Sequence, residues 1–248
     1  MALIWKKIIN DTTYEVRKAG ASIRLYTDGI FHSQFNPKKP LNGSIWDLLV
    51  LPIFFSPHII QRILVLGLGG GAAVRTLQRL LPHAETVAVE LDKNHIIIAN
   101  KFFGVKPNKR LNVIHGDAIQ WLKAYKGQKF DYIVDDLFIE QNGEPGRAIA
   151  ADSGWAKALG RQLNPKGLIT LNFPDLATLK KSAFFIDPTF KTRFQSRYVF
   201  STPGYENRML ALSQSALSKT NLSSALTQAE QAAKISLQKY LKANIRRC

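Results

Sequence analysis

The sequence has little cysteine and few long apolar runs. It contains one cysteine, Cys248, in 248 residues. A lone cysteine excludes an internal disulfide and a CxxC zinc site, and one at a terminus is a poor nucleophile. We therefore expect a reducing, cytoplasmic location and no metal site. The apolar run at 48–55 is interrupted by Pro52, and the apolar segment at 1–9 is shorter than a signal peptide needs, so we expect no membrane span.

Acidic residues are also scarce, with 18 against 34 Lys and Arg, for a net charge of +16. Residues 90–152 hold half of the acids and as many basic residues, so the excess positive charge lies in the rest of the chain. A basic surface favours solubility or attracts a polyanion such as RNA or DNA. No aromatic-basic binding motif accompanies this charge, so we expect only weak nucleic-acid contact, through the basic termini. The composition, 46% hydrophobic and 21% charged, is that of an ordinary globular protein.

The first part of the chain, 1–55, predicts a small β-strand subdomain and a linking helix. Strand-like segments at 12–16, 22–26 and 30–35 are separated by turn residues, among them Asp28-Gly29, a strong tight-turn signal. A Pro-rich connection follows, and we expect a helix over about 44–55.

From residue 56 the pattern changes to short apolar runs that alternate with amphipathic stretches. Five strands are predicted, at 62–67, 86–91, 111–116, 131–136 and 168–173. Strands separated by helices form a parallel sheet covered on both faces. A final antiparallel hairpin at 197–201 and 208–213 completes a doubly wound, mostly parallel, seven-stranded α/β sheet over 56–213. The remainder, 214–248, predicts a basic helical tail, and the long connection 137–151 is a candidate functional loop.

The first strand of this region runs into the glycine loop Gly67–Ala72, which fits the GxGxxG/A nucleotide-binding pattern between a strand and a helix. Three later strands end in acids: Glu90, Asp117 and the pair Asp135-Asp136. Open α/β sheets bind ligands at the carboxyl ends of their strands, so these carboxylates should share one crevice suited to a cationic sulfonium donor. The alternatives are a tight turn without a ligand, an NAD site, and Asp117 acting only as a helix cap. Side chains alternate along a strand, so only one of Asp135 and Asp136 can face the crevice.

The order and spacing of these motifs resemble the spermidine synthase (polyamine aminopropyltransferase) family and its methyltransferase-fold relatives. The resemblance extends from about Thr27 to Phe173 and rests on TDGIFHSQF, ILVLGLGGG, VAVELD, HGDAIQWL and FDYIVDDLF. It implies a Rossmann-like methyltransferase fold and an S-adenosylmethionine or decarboxylated S-adenosylmethionine donor.

The resemblance also implies roles for individual residues. Asp136 occupies the position of the family's amine-activating carboxylate and is the candidate catalytic residue. The residues that would contact the donor are His32, where the family usually has Gln, Gly67, Gly69 and Gly70 at the methionine-derived part, Glu90 at the ribose, and Asp117 with Ala118 at the adenine.

Three positions depart from the family pattern. Gly70 replaces an Asp that pairs with the donor's amine, Ile139 replaces an Asp that holds the polyamine, and Ile45-Trp46-Asp47 replaces a YHE segment. An apolar Ile139 cannot anchor an ammonium group, although Glu140 or Glu144 could replace it. Loss of the loop Asp removes a repulsion against the carboxylate of intact S-adenosylmethionine.

These departures favour methylation of a small-molecule acceptor, with Asp136 as the proton acceptor. Aminopropyl transfer to a polyamine is the alternative within the family. An NAD-dependent oxidoreductase, a nucleic-acid methyltransferase and a catalytically silent binding protein are the alternatives outside it. A homodimer is a further expectation from the sequence.

Overall fold

The N-terminal part of the protein is an antiparallel sheet. The computed structural model describes residues 1–141, 144–219 and 222–248. The sheet contains four strands in sequential order: β1 (Ala2–Ile9), β2 (Thr12–Ala19), β3 (Ser22–Thr27) and β4 (Ile30–Phe35). Asp28 and Gly29 have positive φ angles of 47° and 81°, as the predicted tight turn requires. Strand β1 was not predicted, although the positive-φ turn Asn10-Asp11 that joins it to β2 has a suitable sequence.

The predicted helix over 44–55 is wrong as a single element. The chain instead forms helix α1 (Ile45–Leu48) and then a separate 3₁₀ turn (Leu51–Phe55). Pro52 has no backbone N–H to donate to a carbonyl four residues earlier, so an α-helix cannot continue through it. Both pieces are buried, and they link the N-terminal sheet to the rest of the protein.

The predicted strands and helices of the central region are present. In chain order they are β5 (Arg62–Leu66), α2 (Ala72–Leu80), β6 (Glu85–Glu90), α3 (Lys93–Phe103), β7 (Leu111–His115), α4 (Ala118–Ala124) and β8 (Phe130–Asp135). The candidate loop 137–151 contains a short hairpin, β9 (Phe138–Gln141) and β10 (Glu144–Arg147). After it come α5 (Ser153–Gln162), β11 (Leu163–Phe173), α6 (Leu176–Lys181), α7 (Ala183–Ile186) and α8 (Pro188–Arg193).

The last strands add an antiparallel edge to the sheet. Strands β12 (Ser196–Ser201) and β13 (Arg208–Ser213) form the expected hairpin, and helix α9 (Leu222–Ala233) follows. The tail is not wholly helical, because β14 (Asn244–Arg247) pairs antiparallel with β12. Within the described residues the sheet therefore has eight strands rather than seven, in the order β14-β12-β13-β11-β8-β5-β6-β7.

The central sheet separates two hydrophobic clusters. Ile63 and Val65 of β5 face the cluster that contains α1 and α2, and Leu64 and Leu66 face the cluster that contains α4 and α5. This alternation along β5 is the period of two that places successive strand side chains on opposite faces. No helix in the described part of the chain is long and apolar enough to cross a membrane.

A buried carboxyl group in α1 predicts pH-dependent stability. Asp47 is 4% exposed and accepts hydrogen bonds from the backbone N–H groups of Asn42 and Gly43, both at 2.7 Å. Burial raises the pKa of Asp47 to about 7. The folded state therefore holds this proton more tightly than the unfolded state does, and the free energy of unfolding should fall as pH rises from about 4 to about 7.

Asp47→Asn should consequently raise the unfolding temperature at pH 8 by several degrees, corresponding to a few kcal/mol, and leave it almost unchanged at pH 4. Thermal denaturation followed by circular dichroism at both pH values measures the effect. The exposed Asp11→Asn variant removes the same charge and should show no such pH dependence. An equal change at pH 4 and pH 8 would contradict the assignment.

Candidate active site

The glycine loop lies where the strand order reverses. Strand β5 has β6 on one side and β8 on the other, which is the topological switch point where open α/β sheets bind ligands. Gly67 follows β5 with a φ of 86°. A Cβ atom at Gly67 would lie 2.3 Å from the backbone oxygen of Asp136. The loop thus brings the ends of β5 and β8 into direct contact.

Gly67→Ala should destabilise the protein by at least about 2 kcal/mol, because the methyl group would meet backbone in a conformation that disfavours L residues. Chemical denaturation measures the change. Gly116→Ala is the matched control, since a Cβ there has no neighbour within 4 Å. We expect the control to change the free energy of unfolding by less than about 1 kcal/mol.

Two further loop glycines are covered by the N-terminal sheet. A Cβ at Gly69 would be 3.2 Å from the backbone oxygen of His32, and one at Gly70 would be 2.6 Å from the Cβ of Ser33. Strand β4 therefore packs directly on the loop. The protein's own packing is enough to require these glycines, so their presence does not by itself indicate a ligand.

Glu90, at the end of β6, organises the glycine loop. Its Oε2 accepts hydrogen bonds from the backbone N–H groups of Leu68 at 2.7 Å and Gly69 at 2.9 Å, and its Oε1 accepts one from Asp92 at 2.9 Å. Burial alone would raise the pKa of Glu90, but His95 and the backbone donors outweigh it and lower the pKa to about 2. Glu90 is therefore a fixed negative charge beside the loop.

Two histidines connect Glu90 to the N-terminal sheet. His95 Nδ1 lies 3.7 Å from Glu90 Oε1, and its ring lies 4.9 Å from the ring of His32 on β4. Burial and the neighbouring His95 lower the pKa of His32 to about 4. Burial alone would lower the pKa of His95, but Glu90 and Asp92 raise it. His32 is thus a neutral ring beside the more basic His95.

Asp92 caps α3 through the N–H of Asn94, and it also accepts a hydrogen bond from the Tyr14 hydroxyl at 2.7 Å. Sequence analysis missed His95. Its position three residues after Asp92, on the same face of α3, is the signal that could have identified it.

Asp135 and Asp136 point in different directions, as alternation along β8 requires. Asp135 is fully buried, and its Oδ2 accepts hydrogen bonds from Arg147 at 2.8 Å and Trp155 Nε1 at 2.7 Å. Asp136 is partly exposed and accepts a hydrogen bond from Asn172 Nδ2 at 2.7 Å. Asp135 anchors the β9-β10 hairpin, and Asp136 is the carboxylate left partly exposed at the carboxyl end of β8.

The surroundings of Asp136 make it a weak acid. Burial raises the pKa of Asp136 to about 6, the hydrogen bond from Asn172 opposes this rise, and the charge of Asp135 adds to it. Asn172 in turn accepts a hydrogen bond from Asn207 at 3.0 Å. Sequence analysis missed both asparagines, although Asn172 stands near the carboxyl end of β11, next to β8. A carboxylate with a pKa near neutrality is suited to accept a proton.

Asp117 lies at the same edge of the sheet, after β7. Its Oδ1 caps α4 through the N–H groups of Ile119 at 2.7 Å and Gln120 at 3.3 Å, and the residue is exposed. Directly after β7, the backbone N–H of Gly116 donates a hydrogen bond to the backbone oxygen of Glu90. Ala118 is buried as the first residue of α4. Asp117 is therefore a cap, and its predicted contact with adenine, like that of Ala118, stays a prediction.

Leu91 is a neighbouring apolar residue that sequence analysis did not select. It follows Glu90 directly, and 64% of its surface is exposed. Its backbone oxygen lies 3.1 Å from His115 Nε2. An exposed leucine at the carboxyl edge of the sheet is an apolar surface on which a flat aromatic ring can pack.

Known proteins with similar sequences and structures include transferases. Over 94 residues, 37% of this chain, the sequence is 38% identical to the polyamine aminopropyltransferase of Vibrio vulnificus, but the match covers only 30% of that enzyme. The crystal structure of a probable spermidine synthase from Corynebacterium glutamicum superposes with a TM-score of 0.72 at 17% identity, covering 96% of this chain and 95% of that one. The structure of human methyltransferase-like protein 13 in complex with SAH superposes with a TM-score of 0.58 at 21% identity, covering 76% of this chain and 89% of that one.

These two superpositions show that the doubly wound sheet has the methyltransferase-like fold expected from the sequence. The family model described as the spermine/spermidine synthase domain matches residues 47–224, from α1 through the whole parallel sheet. The chain belongs to the spermine/spermidine synthase domain family.

Proposed function

We propose that the protein transfers an aminopropyl group from decarboxylated S-adenosylmethionine to an amine, with Asp136 as the proton acceptor. The observation that carries this proposal is the partly exposed Asp136, with a pKa raised to about 6, in direct backbone contact with the glycine loop. Family membership and the similarity to an aminopropyltransferase support aminopropyl transfer over the methylation favoured by the sequence alone.

The adenosyl part of the donor would lie along the ends of β5, β6 and β7. Oε2 of Glu90 already accepts two N–H groups, whereas Oε1 accepts one and faces His95. A carboxylate offers about four acceptor positions, so a ribose hydroxyl would bind Oε1 in competition with His95. Leu91 would pack on the adenine ring, with Asp117 accepting from its amino group through the oxygen that does not cap α4.

Asp136 would act on the acceptor amine. When bound, the donor supplies a sulfonium centre whose propyl carbon is attacked by the amine nitrogen while the carbon–sulfur bond breaks, which leaves a neutral thioether. The new carbon–nitrogen bond makes the nitrogen cationic, and Asp136 takes the proton that it releases. At neutral pH a carboxyl group with a pKa of about 6 is mostly ionised, so it can both attract the amine and accept its proton.

The β9-β10 hairpin would cover the acceptor. Arg147 at its base donates to Asp135 at 2.8 Å and to the backbone oxygen of Asn172, which fixes the hairpin beside Asp136. Ile139 on β9 is 42% exposed. The next residue, Glu140, is exposed and remains our candidate for binding the far end of a polyamine. The Glu144 side chain lies outside the described part of the structure.

The test is incubation of the purified protein with a diamine and, separately, decarboxylated or intact S-adenosylmethionine, followed by mass spectrometry. We expect an aminopropylated amine only with the decarboxylated donor, and at least about a hundredfold less product with the Asp136→Asn variant. A methylated amine formed only with the intact donor would overturn the proposal. Product formation at an unchanged rate in Asp136→Asn would overturn the role of Asp136.

Methyl transfer is the second candidate function, and one observation favours it. The glycine loop contains no acidic residue, and the space beside Gly70 is filled by Ser33. Nothing in the loop would therefore repel the carboxylate of intact S-adenosylmethionine. The same incubation decides between the two donors.

A further inference from the structure

Two adjoining cavities lie away from the glycine loop, along the later turns of α2. The larger has a volume of about 530 Å³ and lies between α2, the Pro-rich connection after β4, and the end of α9. The smaller, about 160 Å³, lies between α2 and the same connection. Pro37 and Arg79 line both cavities, so the two form one continuous concave surface.

Basic residues from three separate segments line this surface. Arg75 and Arg79 are one turn apart on α2, Lys38 belongs to the Pro-rich connection, and Lys234 follows α9. Glu230 is the one acid among the lining residues, and its carboxylate accepts hydrogen bonds from the backbone N–H groups of Leu237 and Gln238. Glu230 therefore stabilises the turn after α9, and the lining residues of the surface carry a net positive charge.

Arg75 is a half-buried cation that makes no ion pair with an acid in the described part of the chain. Its guanidinium lies 3.8 Å from the centre of the Phe35 ring and donates one long hydrogen bond, 3.4 Å, to the backbone oxygen of Phe103. No acid among the described residues lies within ion-pair distance of it. Burial and the neighbouring Arg79 lower the pKa of Arg75 to about 10, against the opposing effect of the Asp47 charge. Asp47 forms no ion pair with Arg75, so an anion bound in the cavity would interact favourably with this partly desolvated charge.

We propose that this surface binds the phosphate groups of a multiply charged anion through Arg75, Arg79 and Lys38. Guanidinium groups match phosphate oxygens with two parallel N–H donors, and 530 Å³ is within the usual range for small-ligand sites. The net charge of +16 raises the local concentration of such anions. The phosphates belong either to a free oligophosphate or to an RNA backbone. This site is independent of the transfer reaction proposed above.

The site also connects the tail to the body of the protein. Lys234 and Glu230 come from the tail, whereas Arg79 and Lys38 come from the central domain and the connection before it. An anion held between these walls would restrain α9 against α2. Binding should therefore raise the unfolding temperature as well as produce a binding signal.

The test measures binding of two probes, inorganic tripolyphosphate by calorimetry and a labelled single-stranded RNA by fluorescence anisotropy, at two salt concentrations. Arg79→Gln should weaken binding at least tenfold, and Lys234→Gln should weaken it severalfold. Arg161→Gln, on the exposed face of α5, lowers the net charge equally and should change the affinity by less than twofold. All three positions are at the surface, so these variants should fold normally.

If Arg79→Gln and Lys234→Gln weaken the binding of tripolyphosphate but not of RNA, the ligand is a free oligophosphate. If they weaken the binding of RNA alone, the ligand is an RNA backbone. Equal weakening by Arg79→Gln and Arg161→Gln would show attraction by overall charge only and would overturn the proposal. Failure of both probes to bind the unmodified protein at millimolar concentration would overturn it as well.

Discussion

Asp136→Asn should reduce turnover by about 10²- to 10⁴-fold, which is the usual contribution of a well-placed proton acceptor. Asn keeps the size of the side chain and an oxygen that can accept the 2.7 Å hydrogen bond from Asn172, so the fold should be preserved. What is lost is the group that takes the amine's proton. Initial rates of product formation, with circular dichroism as the check on folding, measure the effect.

The pH dependence identifies the group responsible. Because only ionised Asp136 accepts a proton, kcat/KM should rise with pH through about 6 and then level. Asn172 lowers the pKa of Asp136, so Asn172→Leu should move this rise to higher pH without abolishing activity at alkaline pH. Glu85→Gln, at the amino end of β6 and so at the opposite edge of the sheet from Asp136, is the matched control and should leave the profile unchanged. A rise at the same pH in Asn172→Leu would contradict the assignment.

Arg147→Met should lower the free energy of unfolding by about 3–5 kcal/mol, the range for a buried ion pair that loses one partner. Asp135 is fully buried, and without the guanidinium its charge would keep only weaker partners such as Trp155 Nε1. Urea denaturation measures the loss of stability.

Two further variants separate burial from charge in this ion pair. Glu85→Gln removes the exposed partner of Arg62, an ion pair of the same 2.8 Å length, and should cost less than about 1 kcal/mol. The double variant Asp135→Leu with Arg147→Met removes both charges and should be more stable than Arg147→Met alone. If the double variant were the less stable of the two, an unpaired buried charge would not explain the loss.

The central sheet could be predicted because its signals are local. Apolar runs of strand length, each followed by Gly, Asp or Glu, fix β5 to β8 and the ends of the strands where ligands bind. Asp117 was recognised as a possible cap because a cap depends on residues two or three positions away.

The parts that could not be predicted depend on contacts between distant segments. Strand β14 is defined by pairing with β12 more than forty residues earlier, and its own sequence, NIRR, has little strand character. The contact of Gly70 with Ser33 and that of His95 with His32 depend on how two sheets pack. The hydrogen bond from Asn172 to Asp136 depends on strand order, which no single segment specifies.

The position of β14 has a consequence for handling this protein in solution. Without Asn244–Arg247, the outer side of β12 would present unpaired N–H and C=O groups from Tyr198 to Ser201, which is a template for pairing between molecules. Strand β14 pairs with this edge of β12. It is short, and its exposed Arg246 and Arg247 carry charges that discourage pairing with a second molecule. A partner or tag fused directly after residue 248 would therefore lie next to the β12-β14 pairing that protects the protein from aggregation.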